Sequence, residues 1–339
     1  MEINSYAKEQ INQINEKCKI IKPLVVIRCL TYNHEPYIHD ALESFVMQQT
    51  DFPFVAIVHD DASTDNAKNV IKEFANKYPD IILPIYEREN QYSKHDGSLG
   101  RIIDTACKAT GAEFIAMCEG DDYWTDPLKL QKQVNFLESH PEYYLCFHSA
   151  YIKYEKGILA NKSLENSYYN LQQREYSIDE IHANFIIPTC SALFRISVLE
   201  RYKYDCDYCA GDNVLWTSCA SCGKIYCLLD KMSTYRINNN GWLRSHYSTR
   251  NTRILTYKNW NKHYKALRKN YPEINCKQIY LNEIKYAAIV TLTDIKPLKN
   301  VYINFRNFIK LYKTQYIVTL IKKLSSFSFA KVNRYFKNF

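Results

Sequence analysis

The sequence predicts an α/β protein with a mostly parallel β-sheet flanked by helices and a helical extension at its C-terminal end. Apolar runs alternate with amphipathic helical stretches at intervals of roughly 30 residues, which is typical of βαβ units. The chain has 339 residues, enough for one large domain with a sizeable core. Because 46% of the residues are hydrophobic and only 8 are glycine, a fibrous or low-complexity chain is excluded.

The N-terminal part of the chain supplies the regular alternation. Residues 1–22 are a polar leader, which we expect to be helical. Four apolar runs then have the length of buried strands: residues 24–30, 54–59, 81–86 and 114–118. The segments between them keep apolar residues at i, i+3, i+4 and i+7, the spacing of one helix face. Helix ends carry three signals: Ser63 or Thr64 as an N-cap, Gly111 as a stop and Pro127 as an opening residue.

The rest of the chain is less regular. We expect a strand at residues 143–151, a polar loop at 154–176, a strand at 186–195 and a helix at 211–222. Beyond Trp242 the pattern is helical. The chain therefore divides into a leader at 1–22, an α/β domain at 23–242, a helical extension at 243–299 and a basic amphipathic tail at 300–339.

The net charge of +8 is concentrated at the C-terminal end. Residues 295–339 contain ten Lys or Arg and no Asp or Glu, whereas the remaining residues carry 34 basic and 36 acidic side chains. A near-neutral body excludes a broad basic face for a duplex, and we expect no nucleic-acid partner. The tail either lies on an anionic membrane surface or packs on the domain with its basic face in water.

The cysteine content and the N-terminal segment indicate the cellular compartment in which we expect the protein. The leader lacks the apolar core of a secretory signal, and no run of roughly 18 apolar residues is present. The 12 cysteines are then expected to be free thiols. We therefore expect a cytoplasmic protein, either free or peripheral on the inner face of the cytoplasmic membrane through residues 300–339.

Two acidic clusters directly follow predicted strands. Glu119, Asp121 and Asp122 come after the fourth strand, and Asp60 and Asp61 come after the second. The carboxyl ends of parallel strands share the sheet edge where ligands bind, so we expect the clusters to lie close together. Crowded carboxylates repel one another unless a cation relieves them, and Mg²⁺ or Mn²⁺ prefers oxygen ligands. The other interpretation is a solvated surface turn.

Two further charged residues each allow two interpretations. Arg101, near the start of a predicted helix, either contacts phosphate or is solvated. Asp212, at the start of the helix predicted at 211–222, is either a helix cap or a base that accepts a proton. The chain has no G-x-G-x-x-G fingerprint and no Walker A loop.

Three motifs in order carry a family resemblance. They are Thr31-Tyr32-Asn33-His34, Asp60-Asp61-Ala62-Ser63-Thr64-Asp65 and Glu119-Gly120-Asp121-Asp122-Tyr123-Trp124. Weaker matches follow at Pro188-Thr189-Cys190-Ser191, Gly211-Asp212, Tyr235-Arg236 and Gly241-Trp242. Over residues 23–242 the sequence resembles glycosyltransferase family 2, inverting enzymes with the GT-A fold. The subgroup it resembles is bacterial, carries an E-G-D-D-Y-W turn and is often found with surface-polysaccharide genes.

The resemblance implies roles for individual residues. The donor-binding set is Thr31, Tyr32, Asn33, Asp60, Asp61, Arg101, Glu119, Gly120 and Asp122. Within it, Asp61 with Asp60 beside it reads the base, and Glu119, in place of the more usual Asp, lies on the ribose side. Asp121 matches the ligand of Mn²⁺ or Mg²⁺, and Asp212 matches the catalytic base. The set on the acceptor or diphosphate side is Trp124, Thr189, Ser191, Arg236 and Trp242.

The implied activity is transfer of a sugar from a nucleotide-diphosphate donor, expected to be a UDP-sugar. The implied acceptor is a glycan or a lipid-linked molecule in bacterial surface polysaccharide synthesis. One alternative is a metal-dependent nucleotidyltransferase, which usually carries a basic Gly-rich loop that is missing here. Another is a zinc-stabilised module that binds nucleic acid or protein, against which the near-neutral body argues.

The zinc alternative rests on two C-x-x-C pairs, Cys206 with Cys209 and Cys219 with Cys222. Nine residues separate the pairs, which is shorter than the usual ribbon spacing. The other interpretation is that they are small core residues.

Overall fold

The computed structural model describes residues 3–158, 160, 165, 168, 171–239 and 250–293. Its contacts divide the chain into two units, Met1–Glu283 and Ile284–Phe339, and residues 284–293 are the described part of the second. In the first unit, helices flank a nine-stranded sheet, which confirms the predicted fold class. The predicted tail at 300–339 and Trp242 lie outside the described residues.

The strands β1–β4 form the N-terminal half-sheet, and they alternate with helices as expected. Its elements are α1 (Ser5–Ile21), β1 (Val25–Thr31), α2 (Glu35–Val46), β2 (Phe54–Asp60), α3 (Ala67–Lys77), β3 (Ile82–Tyr86), α4 (Ser98–Ala109) and β4 (Phe114–Met117). The strands lie in the order β3-β2-β1-β4 and are all parallel. Their carboxyl ends therefore meet at one edge of the sheet.

The strands β5–β9 form the C-terminal half-sheet. Its elements are β5 (Tyr123–Trp124), α5 (Lys129–Ser139), β6 (Tyr143–Tyr154), β7 (Arg174–Glu175), α6 (Ile178–Asn184), β8 (Leu193–Arg195), α7 (Gly211–Cys222) and β9 (Lys224–Ile237). The order continues β4-β8-β6-β9-β5, and β7 also pairs with β9. The long β6–β9 pairing is parallel and the short pairings are antiparallel, so the sheet as a whole is mostly parallel. Two helices, α8 (Arg250–Asn270) and α9 (Lys277–Thr293), follow.

Strand β1 shows why the sheet is buried on both faces. Val25 and Ile27 pack on the face covered by α2 and α3, whereas Val26 packs on the face covered by α1 and α4. All three side chains are fully buried. Arg28 is the exception, a charged residue on the α1 and α4 side of an otherwise apolar strand.

The structure departs from the predicted strands in three places. The 14-residue strand β9 was not expected, because its pairing with β6 is shifted between His148 and Ala150 and the shift breaks the alternation of buried residues. The strand expected at 186–195 is reduced to β8, since Pro188 lacks a backbone N–H and Thr189–Ser191 form a 3₁₀ turn. The loop expected up to residue 176 contains β7.

Two helices begin a few residues after the start that the sequence predicts. Helix α3 begins at Ala67, whose N–H donates to the Asp65 carboxylate at 3.1 Å, rather than after Ser63 or Thr64. Helix α5 begins at Lys129, two residues after Pro127. None of the described helices is long and apolar enough to cross a membrane.

Candidate functional site

The acidic turn after β4 lies beside the ends of β1 and β2. Thr31 is paired in register with Asp60, so these two strands end level with each other. The Gly120 N–H donates to the Leu30 carbonyl at 2.9 Å, and the Asp61 N–H donates to the Thr31 carbonyl at 3.0 Å. The two acidic clusters are therefore tied to the same strand at the carboxyl edge of the sheet.

Gly120 allows the turn to pack directly against the end of β1. A Cβ atom at this position would lie 2.9 Å from Cβ and Oγ1 of Thr31 and 3.0 Å from Nδ1 of His34. Such contacts are too short for a carbon atom, so a larger residue would push the turn away from β1. The geometry thus gives Gly120 a packing role in the site.

Glu119 shares one electrostatic environment with the other charged residues of the site. Its Oε2 atom accepts the N–H of Leu30 at 3.1 Å. Burial and the neighbouring carboxylates of Asp121 and Asp212 raise the pKa of Glu119 to about 7, against the opposing effect of the Arg28 guanidinium. The residues expected on the ribose side, at the metal and as the base are therefore close enough to affect one another.

Asp121 and Asp122 have different surroundings. Asp122 is 2% exposed and accepts the backbone N–H of Arg236 at 2.7 Å. Burial and the charge of Asp121 raise the pKa of Asp122 well above its ordinary value. Asp121 is partly exposed, and its Oδ2 atom accepts Nδ2 of Asn238 at 2.8 Å. Asp122 thus faces β9, while Asp121 is the carboxylate at the surface of the turn.

Arg236 anchors the acidic turn from the end of β9. Its guanidinium donates to Asp40 at 2.5 Å and to the Asp121 carbonyl at 3.2 Å. The same group lies over the rings of Tyr37 and Tyr123, with centroid distances of 5.0 and 4.9 Å. The side chain was expected on the acceptor or diphosphate side, and the structure places it against the turn that carries Asp121.

The loops after β1 and β2 are clasped together. Asn33 adopts a left-handed conformation with φ 55°, and its N–H donates to Oγ of Ser63 at 2.9 Å. The Thr64 N–H donates to Oδ1 of Asn33 at 2.8 Å, and the Glu35 N–H donates to the Asp65 carboxylate at 2.8 Å. Asn33 therefore fixes the shape of the edge where a nucleotide was expected.

The paired acids after β2 also differ from each other. Asp60 is fully buried, and burial raises its pKa. The Asp61 carboxylate accepts the backbone N–H groups of Gln91 at 2.6 Å and Tyr92 at 3.0 Å. Asp61 thus holds the loop that follows β3 beside the end of β2.

Three other residues of the expected donor set lie around this edge. Thr31 is 2% exposed, whereas Tyr32 is 44% exposed. Arg101 turns toward its own loop, because its Nη2 atom donates to the Asp96 carbonyl at 2.6 Å and its guanidinium lies over the Tyr204 ring. The contacts of Arg101 are those of a loop-stabilising residue rather than of a side chain held open for phosphate.

Asp212 lies in the first turn of α7. Its side chain is exposed, and Oδ1 accepts the N–H of Asn213 at 2.7 Å. Partial removal of water by the surrounding protein raises the pKa of Asp212, although the hydrogen bond from Asn213 opposes the rise. An accessible carboxylate with a raised pKa is suited to accept a proton.

Helix α8 supports this turn through His263. The Cys209 N–H donates to Nδ1 of His263 at 3.4 Å, so Nε2 carries the proton and donates to Oδ1 of Asn213 at 2.9 Å. Burial lowers the pKa of His263 to about 3, which keeps the ring neutral. One histidine therefore bridges both ends of the segment that carries Asp212.

Two residues expected on the acceptor side are buried. Trp124 is 2% exposed and donates its indole N–H to the Cys190 carbonyl at 2.8 Å. Ser191 is fully buried and donates to the Pro188 carbonyl at 2.7 Å. Both side chains contribute to packing in this structure, while Thr189 is partly exposed.

Three residues of the site were not anticipated from the sequence. Arg28 lies under the turn and faces Asp104 at 3.5 Å; its signal was a charge inside an apolar strand. Asn238 follows β9, which was itself not expected, and His263 comes from a helix far along the chain. Neither Asn238 nor His263 belongs to a pattern that sequence spacing reveals.

The residues at the turn fit a divalent cation shared with a diphosphate. Among the described residues, no group of three or more His, Cys, Asp or Glu is arranged to hold a metal ion. Mg²⁺ commonly uses one or two carboxylates together with substrate phosphates, so a complete protein cage is not required. Burial raises the pKa values of Glu119 and Asp122 most, and the charge of Asp121 adds to both rises; a cation beside Asp121 would relieve that second contribution.

The cysteine pairs differ in accessibility. Cys206 is exposed, Cys209 and Cys222 are partly exposed, and Cys219 is fully buried in α7. Within the described ranges these four residues form no candidate metal-binding group. Burial raises the pKa of Cys219 well above its ordinary value, as expected for a small core residue.

Comparison with known proteins identifies similar chains. The sequence model described as glycosyl transferase family 2 matches residues 29–202. An uncharacterized protein of Mycobacterium tuberculosis is 38% identical over 225 residues, which cover 65% of this chain. The chain spans about 61% of the length of that relative.

Two solved structures share the fold. The Staphylococcus aureus TarS 1–349 structure in complex with UDP has a TM-score of 0.52 and 18% identity, over 79% of this chain and 69% of TarS. The mannosyltransferase PcManGT from Pyrobaculum calidifontis, in complex with GDP-Man and Mn²⁺, has a TM-score of 0.52 and 17% identity. That match covers 94% of this chain and 92% of PcManGT.

Proposed function

The chain belongs to glycosyltransferase family 2, and we propose that it is an inverting glycosyltransferase that transfers a sugar from a nucleoside diphosphate donor to an acceptor hydroxyl. The observation that carries this proposal is the grouping of Asp121, Asp212 and Arg28 around Glu119 at the carboxyl edge of the sheet. Such an edge is where open α/β sheets bind their ligands.

The nucleotide is proposed to lie over the ends of β1 and β2. Asp61, with the buried Asp60 beside it, is proposed to accept an N–H group of the base, since a carboxylate oxygen that already accepts one hydrogen bond retains a lone pair. Glu119 is the acid proposed to bind the ribose hydroxyls. The clasp between Asn33 and Thr64 supports this arrangement, because it fixes the spacing of the two loops.

Asp121 is proposed to hold Mn²⁺ or Mg²⁺ together with the donor diphosphate. A bound cation supplies charge neutralisation for the departing diphosphate. Asn238 orients the Asp121 carboxylate, and Arg236 holds the backbone of the same turn. These two residues therefore act on the donor through Asp121.

Asp212 is proposed to accept the proton of the acceptor hydroxyl. As that oxygen attacks the anomeric carbon, the bond from this carbon to the diphosphate oxygen breaks, and its electron pair leaves with the nucleoside diphosphate. Attack from the face opposite the leaving group inverts the anomeric centre. The exposed position of Asp212 and the support from His263 suit a fixed general base.

We propose a UDP-sugar as the donor and a glycan or lipid-linked molecule of bacterial surface polysaccharide synthesis as the acceptor. TarS has been solved with UDP, and PcManGT with GDP-Man and Mn²⁺, so both nucleotides belong in the test. The ten basic residues of 295–339 support a cytoplasmic enzyme with peripheral contact to the inner face of the membrane.

A nucleotide screen tests the proposal. Thermal unfolding is measured with UDP, GDP and a set of their sugar derivatives, each with and without Mn²⁺. We expect one nucleoside diphosphate to raise Tm in the presence of Mn²⁺, and its sugar derivative to be slowly hydrolysed to a product of inverted anomeric configuration. If no nucleotide or nucleotide-sugar shifts Tm under either condition, the proposed activity is wrong.

A further inference from the structure

Helix α1 precedes the residues that match the family, 29–202, yet it is part of the core. Its buried residues are Ala7, Ile11, Ile14 and Cys18. They pack in one cluster with residues of β2 and β3, namely Val55, Leu83 and Ile85. The leader is therefore an integral layer beneath the edge of the sheet.

Gln10 joins α1 to the edge strand β3. Its Nε2 atom donates to the Tyr86 carbonyl at 3.0 Å, and its Oε1 atom accepts the Tyr86 N–H at 2.9 Å. In the part of the sheet that the structure describes, β3 pairs with β2 alone, so the backbone groups of its other edge have no partner strand there. Gln10 satisfies two of them at the last residue of the strand, directly before the loop that Asp61 holds.

A hydrogen-bond chain continues from the start of α1 to Asp61. Asn4 donates through Nδ2 to Oε2 of Glu87 at 3.2 Å, and the same Glu87 oxygen accepts Nε2 of Gln91 at 3.3 Å. The Gln91 N–H in turn donates to the Asp61 carboxylate at 2.6 Å. Glu87 is 5% exposed, so this chain runs through the protein interior, where an unmade hydrogen bond is costly.

We propose that α1 is a positioning element of the nucleotide pocket, in which Asn4 and Gln10 fix the Glu87–Gln91 segment and thereby the orientation of Asp61. This inference rests on the proposed function, since it takes the ligand beside Asp61 to be the nucleoside part of the donor. Asn4 and Gln10 act on donor affinity and leave the chemical step at Asp212 unchanged.

Substitutions at Asn4 separate this role from helix capping. The Asn4 Oδ1 atom also caps α1 by accepting the N–H of Ala7 at 2.7 Å. Asn4→Asp keeps a good N-cap but replaces the donor with a carboxylate that faces buried Glu87. Asn4→Ser also keeps a good N-cap, but its side chain is too short to donate to Glu87, so it removes the contact without adding a charge.

The measurement is the Kd of the full chain for UDP and for GDP in the presence of Mn²⁺, by calorimetry, together with kcat and KM for the matching sugar donor. We expect Asn4→Asp to weaken nucleotide binding by about tenfold, with kcat unchanged. Asn4→Ser, which removes the contact with Glu87 without adding a charge, is expected to weaken binding by about threefold. Gln10→Ala is expected to weaken binding by about threefold.

Asn12→Asp and Gln13→Ala are matched controls, since both residues lie on α1 and are exposed. Wild-type affinity in both Asn4→Asp and Asn4→Ser would overturn the inference, as would an equal loss in the Asn12→Asp control. If the wild-type chain binds neither nucleotide, the proposed function fails first, and the inference falls with it. A drop in kcat at unchanged Kd would also contradict a role in donor binding.

Discussion

The two half-sheets of this protein differ in how their strands pair and in which elements carry their site residues. In the N-terminal half, each of β1–β4 is parallel to its neighbours within that half, and the acidic residues directly follow β2 and β4. In the C-terminal half, short antiparallel pairings surround the long β6–β9 pair, and Asp212 and Asn238 come from a helix start and a strand end. The first half presents a regular edge, while the second brings individual residues to it from distant parts of the chain.

This difference matches two separate requirements of the proposed reaction, nucleotide binding and proton transfer. A nucleotide needs a broad and fixed surface, which level strand ends and clasped loops provide. Proton transfer needs one carboxylate at one point, which a single helix turn supplies. We therefore expect changes in the first half to affect donor binding, and changes around Asp212 to affect transfer alone.

The largest effect is expected where the halves meet, at Asp121. Asp121→Ala removes the carboxylate proposed for the metal, while the backbone of the turn keeps its bond to Arg236. We expect donor turnover to fall by about a thousandfold and the Mn²⁺-dependent rise in Tm to disappear. Steady-state kinetics and thermal unfolding with Mn²⁺ measure the two effects.

The control for this variant is Asp51→Ala, which removes an exposed carboxylate in the loop between α2 and β2. The control is expected to behave as wild type. Retention of Mn²⁺-dependent stabilisation in Asp121→Ala would contradict the metal role of Asp121.

A smaller effect, confined to transfer, is expected for Asp212→Asn. The amide keeps the size of the side chain and an oxygen for the Asn213 N–H, but it does not accept a proton. We expect kcat to fall by about a hundredfold, with the Kd for the donor nucleotide within about twofold of wild type. Asp207→Asn, an exposed carboxylate in the preceding loop, is the matched control.

The pH profile gives a second readout for Asp212. Because its pKa is raised, the carboxylate becomes protonated at a higher pH than an ordinary aspartate, and activity should fall as the pH decreases through that raised value. A loss of nucleotide binding together with transfer in Asp212→Asn would indicate a structural role and would break the division between the halves.

The pattern of apolar runs in the sequence was sufficient to predict the strands of the N-terminal half-sheet. The run at 54–59 became Phe54–Asp60, and the run at 114–118 became Phe114–Met117. These strands are almost entirely buried, so each one is a nearly continuous run of hydrophobic residues. The first polar residues after such a run mark the end of the strand. The same rule located Asp60, Asp61 and Glu119, because polar residues at a strand end are visible without knowledge of the fold.

The C-terminal half-sheet could not be predicted in this way. In β9, the register shift against β6 moves the buried positions from one face to the other partway along the strand, so no regular period remains. Arg236 and Asn238 hold the acidic turn only because β9 brings residue 236 beside residue 122. Contacts of this kind depend on long-range pairing, which a local pattern does not encode.

The same contrast predicts a difference in acid stability. Fully buried histidines lie in both parts of the described chain: His59 on β2, and after β4 His148 on β6, His182 on α6 and His263 on α8. Burial lowers the pKa of the latter three to about 3. Below about pH 6.5 these histidines are protonated in the unfolded chain. In the folded chain they stay neutral until the pH approaches 3. Each of these three histidines should therefore lower the free energy of unfolding by roughly 1 kcal/mol for every pH unit between about 6.5 and 3.

His182→Gln tests this difference at one site. The Thr217 hydroxyl donates to the Asn213 carbonyl, so its oxygen accepts from Nε2 of His182, and the glutamine amide can replace that donor. Urea unfolding at pH 7.5 and 5.5 should show a smaller loss of stability in the variant than in wild type. His39→Gln, at an exposed position, is the control, and an equal change in both variants would contradict the prediction. Hydrogen exchange should show that acid first opens α6 and α7, while the backbone of β1 and β2 stays protected, because His182 and His263 both contact the helix that carries Asp212.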